Sequence, residues 1–283
     1  MLQNRCIWIL SLLLILSVAK SQTIPAHGEF RGNVKSVEEH SYAARGKPGN
    51  YRKGHRRREF RTEHDFKVYF DRNGLQLTKE IFGRSNRPLL TQTSRYDSTG
   101  QLISTVTRYG NNRVKDSTGY KHYCDSSGRR FKTVVLRMNS SFSTVYYYRY
   151  DQELNCSEYE RKTGASEDSL RLFRTFDHNG RMLTSMDYQG ERLLVLEKFT
   201  YDALGRMISD SSFFGNLNTP ATILKWKYDT SGHVERYEIV NKRSSPESWT
   251  YKYEFDEHGN WIRSIEFRNG KAVFIKERTI TYY

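Results

Sequence analysis

Apolar and polar residues alternate along most of the chain with a period of two, which is typical of β-strands. Near the end of the chain, for example, Tyr251, Tyr253 and Phe255 alternate with Lys252 and Glu254. Gly, Asn and Asp separate the alternating runs, and no stretch after residue 21 has the period of an amphipathic helix. The pattern therefore predicts an all-β protein.

A short turn motif, aromatic-Asp-x-x-Gly, recurs in phase between the runs. Its final positions fall at residues 74, 100, 128, 154, 180, 205, 232 and 259, at intervals of 25 to 28 residues. Six copies are complete, whereas Cys124 replaces the ring in one copy and Leu154 replaces the glycine in another. Self-similarity at a fixed period predicts a repeat protein.

The motif suits a β-hairpin with a type I turn and a G1 bulge, because Asp accepts hydrogen bonds from the backbone and Gly adopts a positive φ. This register places each ring opposite the second residue after the glycine. The predicted pairs are Tyr96–Leu102, Phe176–Met182, Tyr201–Met207, Tyr228–Val234, Phe255–Trp261, Cys124–Arg130 and Tyr150–Cys156. The fold prediction is an antiparallel meander of about eight hairpin repeats that forms a curved or rolled repeat sheet.

The second face of this sheet is not plainly polar. Three residues after the final motif positions lie Leu77, Ile103, Phe131, Leu183, Ile208 and Ile262. Since a flat sheet would leave one apolar face in water, the sheet must curl, fold over on itself or meet a partner.

The repeats resemble the YD repeats of the Rhs/YD-repeat family over residues 66–283, and the closing stretch 251–283 is similar to small exported bacterial members. In the large members such repeats form a spiralling β-sheet strip that can enclose a toxin, and carbohydrate binding has been attributed to them. This chain is short, ends with a repeat, and has no recognisable toxin domain or self-cleavage segment. The resemblance therefore implies a small binding or scaffolding role.

The first 21 residues read as a cleavable signal peptide. Arg5 precedes an apolar stretch over residues 6–19, and a small-x-small cleavage site ends at Ser21. The apolar stretch is too short to span a membrane as a helix. We expect export to the periplasm, cell envelope or exterior with no membrane span after signal removal, a leading strand and basic loop over residues 22–65, and the repeats over 66–283.

Positive charge is concentrated in the segment 45–61, which holds eight Arg and Lys residues against one Glu in a chain of net charge +14. The segment has no repeat motif and reads as a mobile loop, either a solvated loop that aids solubility or a polyanion contact. Export makes nucleic acid an unexpected ligand. The candidate polyanion-binding residues are Arg52, Lys53, Arg56, Arg57, Arg58 and Arg61.

Exposed rings offer a second candidate surface. Trp226, Tyr253 and Trp261 are candidates for stacking on sugars, although such rings more often pack within a sheet. The hairpin register also predicts cation–π pairs of Trp226 with Arg236 and of Tyr253 with Arg263.

Catalytic and metal chemistry finds no support in the sequence. There is no HExxH, GxSxG, CxxC or Gly-rich phosphate loop, and the eight His are scattered, so we expect no enzyme and no cofactor. Successive motif aspartates lie two strands apart, about 9–10 Å, which is too far to share a metal ion. Cys124 and Cys156 lie three strands apart, about 14 Å, so we predict two free thiols.

The sequence thus predicts an exported, non-catalytic repeat protein that binds or scaffolds at the cell envelope or outside the cell. The alternative is a polyanion- or carbohydrate-binding module that uses the basic loop and exposed rings. A polysaccharide, an envelope component or a protein would be the partner, and the sequence does not determine the oligomeric state.

Overall fold

The computed structural model describes residues 30–56, 65–83, 87–138, 140, 143–150, 156–163, 170–215, 218–242 and 244–283. These residues contain 19 β-strands. In chain order the strands are β1 (Val34–Lys47), β2 (Asn50–Arg56), β3 (Phe66–Phe70), β4 (Gln76–Phe82), β5 (Pro88–Tyr96), β6 (Leu102–Tyr109), β7 (Val114–Cys124), β8 (Arg130–Arg137), β9 (Thr144–Tyr150), β10 (Cys156–Thr163), β11 (Leu170–Phe176), β12 (Met182–Gln189), β13 (Arg192–Tyr201), β14 (Met207–Phe214), β15 (Thr222–Tyr228), β16 (Val234–Asn241), β17 (Glu247–Phe255), β18 (Trp261–Arg268) and β19 (Lys271–Tyr282). None of the described residues forms a helix long and apolar enough to cross a membrane.

The strands close into a barrel. Each strand from β3 to β19 pairs antiparallel with the next, as the meander predicts. β1 then pairs with β19 on one edge and with β3 on the other, so that Val37 lies between Ile280 and Val68. The wall has 18 strands, with β2 outside it, and the prediction of a curved or rolled repeat sheet is therefore wrong. Closure satisfies both free edges of the sheet, because β1 supplies each of them with a hydrogen-bonding partner.

The turns have the predicted geometry. In the first copy, the Asp71 carboxylate accepts hydrogen bonds from the N–H groups of Asn73 and Leu75 at 2.9 and 2.8 Å, and the N–H of Gly74 donates to the Asp71 carbonyl. Gly74 has φ +80°, a conformation that L side chains rarely adopt. The same Asp bonding recurs in the other complete copies, so the local sequence sets the turn conformation.

The register at each motif is also confirmed, since all seven predicted cross-strand pairs are present. One residue further on, a second β-bulge shifts the register: Phe176 lies opposite Met182, but Thr175 lies opposite Thr184. The bulge inserts one residue, Leu183, into one strand of the pair. Beyond the bulge, each residue pairs with the residue one position later than in a hairpin without the bulge.

This shift overturns the two predicted cation–π pairs. Trp226 lies opposite Tyr237 rather than Arg236, and their ring centroids are 5.4 Å apart. Tyr253 lies opposite Ser264 rather than Arg263. A one-residue slip moves a side chain to the other face of a sheet, so both arginines lie on the face opposite the rings.

Burial distinguishes the two faces of the wall. On β8, Val135 is 5% exposed while its neighbour Leu136 is 56% exposed. Val37, Thr133 and Leu172, each at most 2% exposed, lie on the same face as Val135, where side chains converge inside the barrel. The motif rings belong to this inner face, and several of them bind the neighbouring hairpin: the hydroxyls of Tyr96, Tyr201 and Tyr228 donate to the backbone carbonyls of Gln76, Met182 and Met207 at 2.7–2.8 Å.

A hairpin of β1 and β2 lies where the sequence predicts a mobile loop. β2 pairs with the end of β1, and the Tyr51 ring packs edge-on against Phe267 of β18 at 5.6 Å. The Lys53 ammonium lies 2.8 Å from the Glu277 carboxylate of β19. The hairpin contacts the outer face beside the closing strands, and this part of the loop prediction is wrong.

The cysteine prediction can be judged at one position. Cys124 is a free, exposed cysteine at the end of β7. Cys156 begins β10, three strands away, and its side chain lies outside the described residues, as does the segment 1–21 that reads as a signal peptide.

Candidate functional site in the barrel interior

Charged side chains lie on the inner face as well as on the outer one. Beside the closing strands, the Arg278 guanidinium lies 2.8 Å from the Glu39 carboxylate, and their side chains are only 1% and 6% exposed. The Lys276 ammonium lies 3.0 Å from the Glu266 carboxylate in the same region. Here opposite charges compensate each other within hydrogen-bonding distance, as buried charges require.

A basic arc lies on the inner face of β8, β10 and β11. It consists of Arg137, Arg161 and Arg174, whose guanidinium groups all act electrostatically on the buried Tyr146. The strand pairing places Arg161 on the inner face, because Arg161 lies opposite both Tyr146 and the buried Leu172. Three positive charges are therefore grouped on the inner face between β8 and β11.

An acidic arc follows on β12, β13 and β14. Asp187 lies opposite Leu172, Glu197 opposite the buried Ser185, and Asp210 opposite the buried Phe199, so all three carboxylates face the interior. Glu197 lies close enough to repel both Asp187 and Asp210. Within the described parts of the chain, one carboxylate oxygen of Asp187 and one of Asp210 are buried without a hydrogen-bond partner.

The two arcs give the interior an uneven electrostatic surface. Arg161 and Arg174 act on Asp187, which lies where the basic arc meets the acidic arc, while Asp210 lies at the far end beside Glu197. Oxygen-rich acidic groups attract cations, and guanidinium groups attract anions. An ion that enters this part of the interior would meet both kinds of group on neighbouring strands.

Three of the six predicted polyanion-binding residues lie in the described part of the chain. Lys53 pairs with Glu277, and Arg56 lies 3.2 Å from the buried Asp65 carboxylate, so both bind acidic groups of the protein itself. Arg52 is exposed and bonds the Asn50 side chain. Arg57, Arg58 and Arg61 lie outside the described residues. The basic segment thus gives no support to the polyanion alternative.

The predicted sugar-stacking rings point inwards. Trp226 packs against Tyr237, and Tyr253 donates its hydroxyl to the Val234 carbonyl at 2.9 Å. The Arg278 guanidinium covers the Trp261 ring, 3.4 Å from its centroid. These rings build the inner wall of a closed barrel. The prediction of a module that binds or scaffolds through a curved sheet, with its polyanion- or carbohydrate-binding alternative, is therefore wrong.

Sequence reasoning missed both arcs, although a signal for them exists. Residues two and four positions before a motif ring share its face, and this rule places Arg174 with Phe176 and Glu197 with Tyr201. Only the rings along this face entered the sequence prediction. The charged residues at those offsets would have identified the arcs.

The outer face carries charged groups on most strands. Among them are Glu80, Arg108, Lys132, Arg149, Lys198, Lys225, Arg236, Lys252 and Arg263. A lipid-facing barrel carries an outward apolar band instead, and each Lys or Arg at the bilayer midplane costs about 2–4 kcal/mol. The outer face therefore differs from that of a barrel surrounded by lipid over its full height.

No protein-family model matches the chain, and no curated protein matches it. Among solved structures, a porin-like protein from Bacteroides uniformis is 8% identical at a TM-score of 0.45, with 89% of this chain and 99% of that one covered. A porin-like protein from Bacteroides vulgatus is 14% identical at 0.39, with 68% and 94% covered. The Tc holotoxin pore of Photorhabdus luminescens is 10% identical at 0.20, with 75% of this chain but 19% of that one covered.

These likenesses are too weak to define a shared fold. The chain's own strand pairing defines its class, a closed antiparallel β-barrel protein with a charged interior.

Proposed function

We propose that the protein is a porin-like channel of the cell envelope, in which small ionic solutes pass through the interior of the barrel. The observation that carries the proposal is the pair of charged arcs on the inner face of a closed wall: Arg137, Arg161 and Arg174 beside Asp187, Glu197 and Asp210. The envelope is the location in which such a channel acts, and the outer membrane is the finer location we propose. No catalytic step and no cofactor form part of this function.

The physical argument rests on the cost of placing charges inside a barrel. An inner wall that only had to pack would do so with apolar side chains, since buried charges are expensive unless they are paired or hydrated. The seam charges are paired at close range, whereas carboxylate oxygens of the acidic arc have no hydrogen-bond partner among the described residues. Ions that pass through the interior would supply the compensating charge that these carboxylates lack.

The test is single-channel conductance of the mature protein in planar bilayers under a salt gradient. Neutralising the acidic arc with Asp187→Asn, Glu197→Gln and Asp210→Asn should shift the permeability ratio several-fold towards anions. Neutralising the basic arc with Arg137→Gln, Arg161→Gln and Arg174→Gln should shift it towards cations. The matched control, Lys198→Gln, Lys225→Gln and Lys252→Gln on the outer face, should leave the ratio unchanged. Absence of conductance, or equal shifts in the control, would contradict the channel.

A second candidate function is a receptacle that holds an ionic solute without passing it across a membrane. The charged outer face favours this candidate, because lipid around the full height of the barrel would surround several Lys and Arg side chains. Equilibrium dialysis of small cationic and anionic dyes separates the two candidates. A receptacle retains dye in a manner that depends on the arcs but gives no conductance.

The resemblance to YD-repeat proteins stays a prediction beside this proposal. Its turn unit agrees with the observed hairpins, but the strands close into a barrel instead of the curved sheet that was predicted with it.

A further inference from the structure

The outer face carries an apolar girdle just inside the rim formed by the motif turns. We define the girdle as the outward residues three positions after the motif glycine on alternate strands. Five members are 37–45% exposed: Leu77, Ile103, Phe131, Leu183 and Ile208. They lie on β4, β6, β8, β12 and β14, about 9–10 Å from one to the next where neighbouring members are two strands apart.

The second β-bulge explains why apolar residues face outwards at one height. The bulge gives the outer face one additional residue, so Leu183 projects from the wall beside Thr184 instead of turning inwards. The same register shift follows the turn in the other complete copies of this arc, at Ile103 and Ile208 for example. A repeated backbone irregularity therefore holds a row of apolar side chains at constant distance from the rim.

Tyrosine and basic residues lie between the girdle members. The Tyr123 ring lies 6.5 Å from the Phe131 ring, and the ammonium groups of Lys121 and Lys132 lie over Tyr123 at 5.2 and 5.3 Å. Arg95 is exposed one strand from Ile103. Apolar, tyrosyl and cationic groups at one depth are the composition that proteins place at the interface between lipid chains and anionic headgroups.

We propose that the girdle seats the turn rim in the interface of an anionic lipid bilayer. The row is one or two residues tall and follows the curved wall from β4 to β8 and again on β12 and β14, with Ser157 at the equivalent position of β10. A flat lipid interface contacts a curved wall along such a line. A globular partner would need to wrap around the wall to cover the same residues. The girdle ends near β16, where Glu235 takes the equivalent position, so the contact involves an arc of the rim.

The proposal rests on the envelope location in the proposed function, but it does not require a channel. It places lipid at one rim, where the outer face is apolar. A receptacle attached to the membrane and a channel would both use the girdle.

Flotation of the purified mature protein with vesicles tests the proposal, using phosphatidylcholine with about one third phosphatidylglycerol, and pure phosphatidylcholine for comparison. The girdle variant is Leu77→Ser, Ile103→Ser and Phe131→Ser. Its matched control is Leu89→Ser, Val114→Ser and Leu136→Ser, since these three outward residues lie near the opposite rim and are 39–56% exposed. We expect the girdle variant to lose at least about tenfold in partition to the anionic vesicles, and the control to stay within about twofold of the parent.

A second measurement keeps the proposal testable if the triple variant misfolds. Phe131→Trp should be quenched by brominated lipid in anionic vesicles, whereas Leu136→Trp should not. Equal quenching at both positions, equal partition of girdle and control variants, or absence of binding by the parent would overturn the proposal. Girdle-dependent dimerisation in sedimentation equilibrium without vesicle binding would overturn it as well, because the girdle would then join two copies.

The two proposals fail separately. Vesicle binding without conductance would contradict the channel and support the girdle. If the girdle variant binds vesicles as well as the parent does and still conducts, the result would support the channel and contradict the girdle.

Discussion

The repeat wall from β11 to β18 and the seam at β1, β19 and β3 both hold neighbouring strands together, but they do so with different contacts. In the wall, every second connection between neighbouring strands is an Asp-x-x-Gly turn, and a tyrosine hydroxyl reaches a carbonyl 19 to 21 residues away. At the seam, the contacts join residues at opposite ends of the chain: Arg278 binds Glu39, 239 residues away, and Ser36 bonds Thr281, 245 residues away.

The comparison teaches that local order and closure have separate causes. A turn with bonded Asp and left-handed Gly forms within a few residues, so each hairpin is specified by its own sequence. Closure brings the two ends of the chain together and must offset a larger loop entropy, which local turns cannot do. The seam uses a buried ion pair, an asparagine bridge from Asn260 to Arg31 and a covering hairpin for this purpose.

The largest expected effect comes from breaking the seam ion pair. Arg278→Met removes the guanidinium that lies 2.8 Å from the buried Glu39 carboxylate, so we expect a loss of about 3–5 kcal/mol in the free energy of unfolding, measured by urea denaturation. The matched control is Arg236→Met, because Arg236 pairs with Glu238 at 2.6 Å on the outer face and is half exposed. Its loss should be about 0–1 kcal/mol.

A double variant sharpens this test. Arg278→Met combined with Glu39→Leu removes both charges, and it should recover most of the stability that Arg278→Met alone loses. If Arg278→Met and Arg236→Met lower the free energy of unfolding by the same amount, the charges of the seam contribute no more to stability than those of the outer face.

An intermediate effect is expected in the turns of the wall. Gly74→Ala forces a Cβ into a left-handed conformation, which costs about 1–2 kcal/mol even though no described atom lies within 4 Å of that Cβ. Gly119→Ala on β7 is the control, since its surroundings are equally open and its φ is not positive. Thermal unfolding should show a lower Tm for Gly74→Ala and an unchanged or higher Tm for Gly119→Ala. Equal shifts would mean that the turn conformation contributes nothing.

The smallest effect is a pH dependence in one turn. Burial alone would raise the pKa of Asp177, but hydrogen bonds from the Arg181 N–H and guanidinium outweigh it and lower the pKa below 3.8. A lowered pKa means that the ionised carboxylate stabilises the folded protein above about pH 4 and that this contribution is lost as the pH falls through the folded value. Asp177→Asn should therefore destabilise at pH 7 by less than about 1 kcal/mol.

Urea midpoints of parent and Asp177→Asn from pH 7 to pH 2.5 measure this dependence. We expect the difference between the two proteins to shrink as the pH falls. A difference that stays constant over the whole range would show that the charge of Asp177 has no role in the turn.

The sequence predicted the turns and the pairing beside them correctly, because both depend on contacts within a few residues. It failed one residue further along, where the second β-bulge shifts the register and separates Trp226 from Arg236. It also failed for the basic segment: Arg and Lys in a Gly-rich stretch are typical of a loop, but Lys53 and Arg56 find their acidic partners only in the folded barrel.

For this protein, the sequence alone determined the strand content, the turn conformation, the spacing of the repeats and the cross-strand pairs beside each turn. These properties follow from residue preferences and hydrogen bonds within a single hairpin. Only the tertiary structure decided that the wall closes, which face is inside, and that Arg174, Asp187 and Glu197 meet there. Closure depends on contacts between residues more than 200 positions apart. A local sequence pattern does not specify which distant strand will pair with the free edge of the sheet.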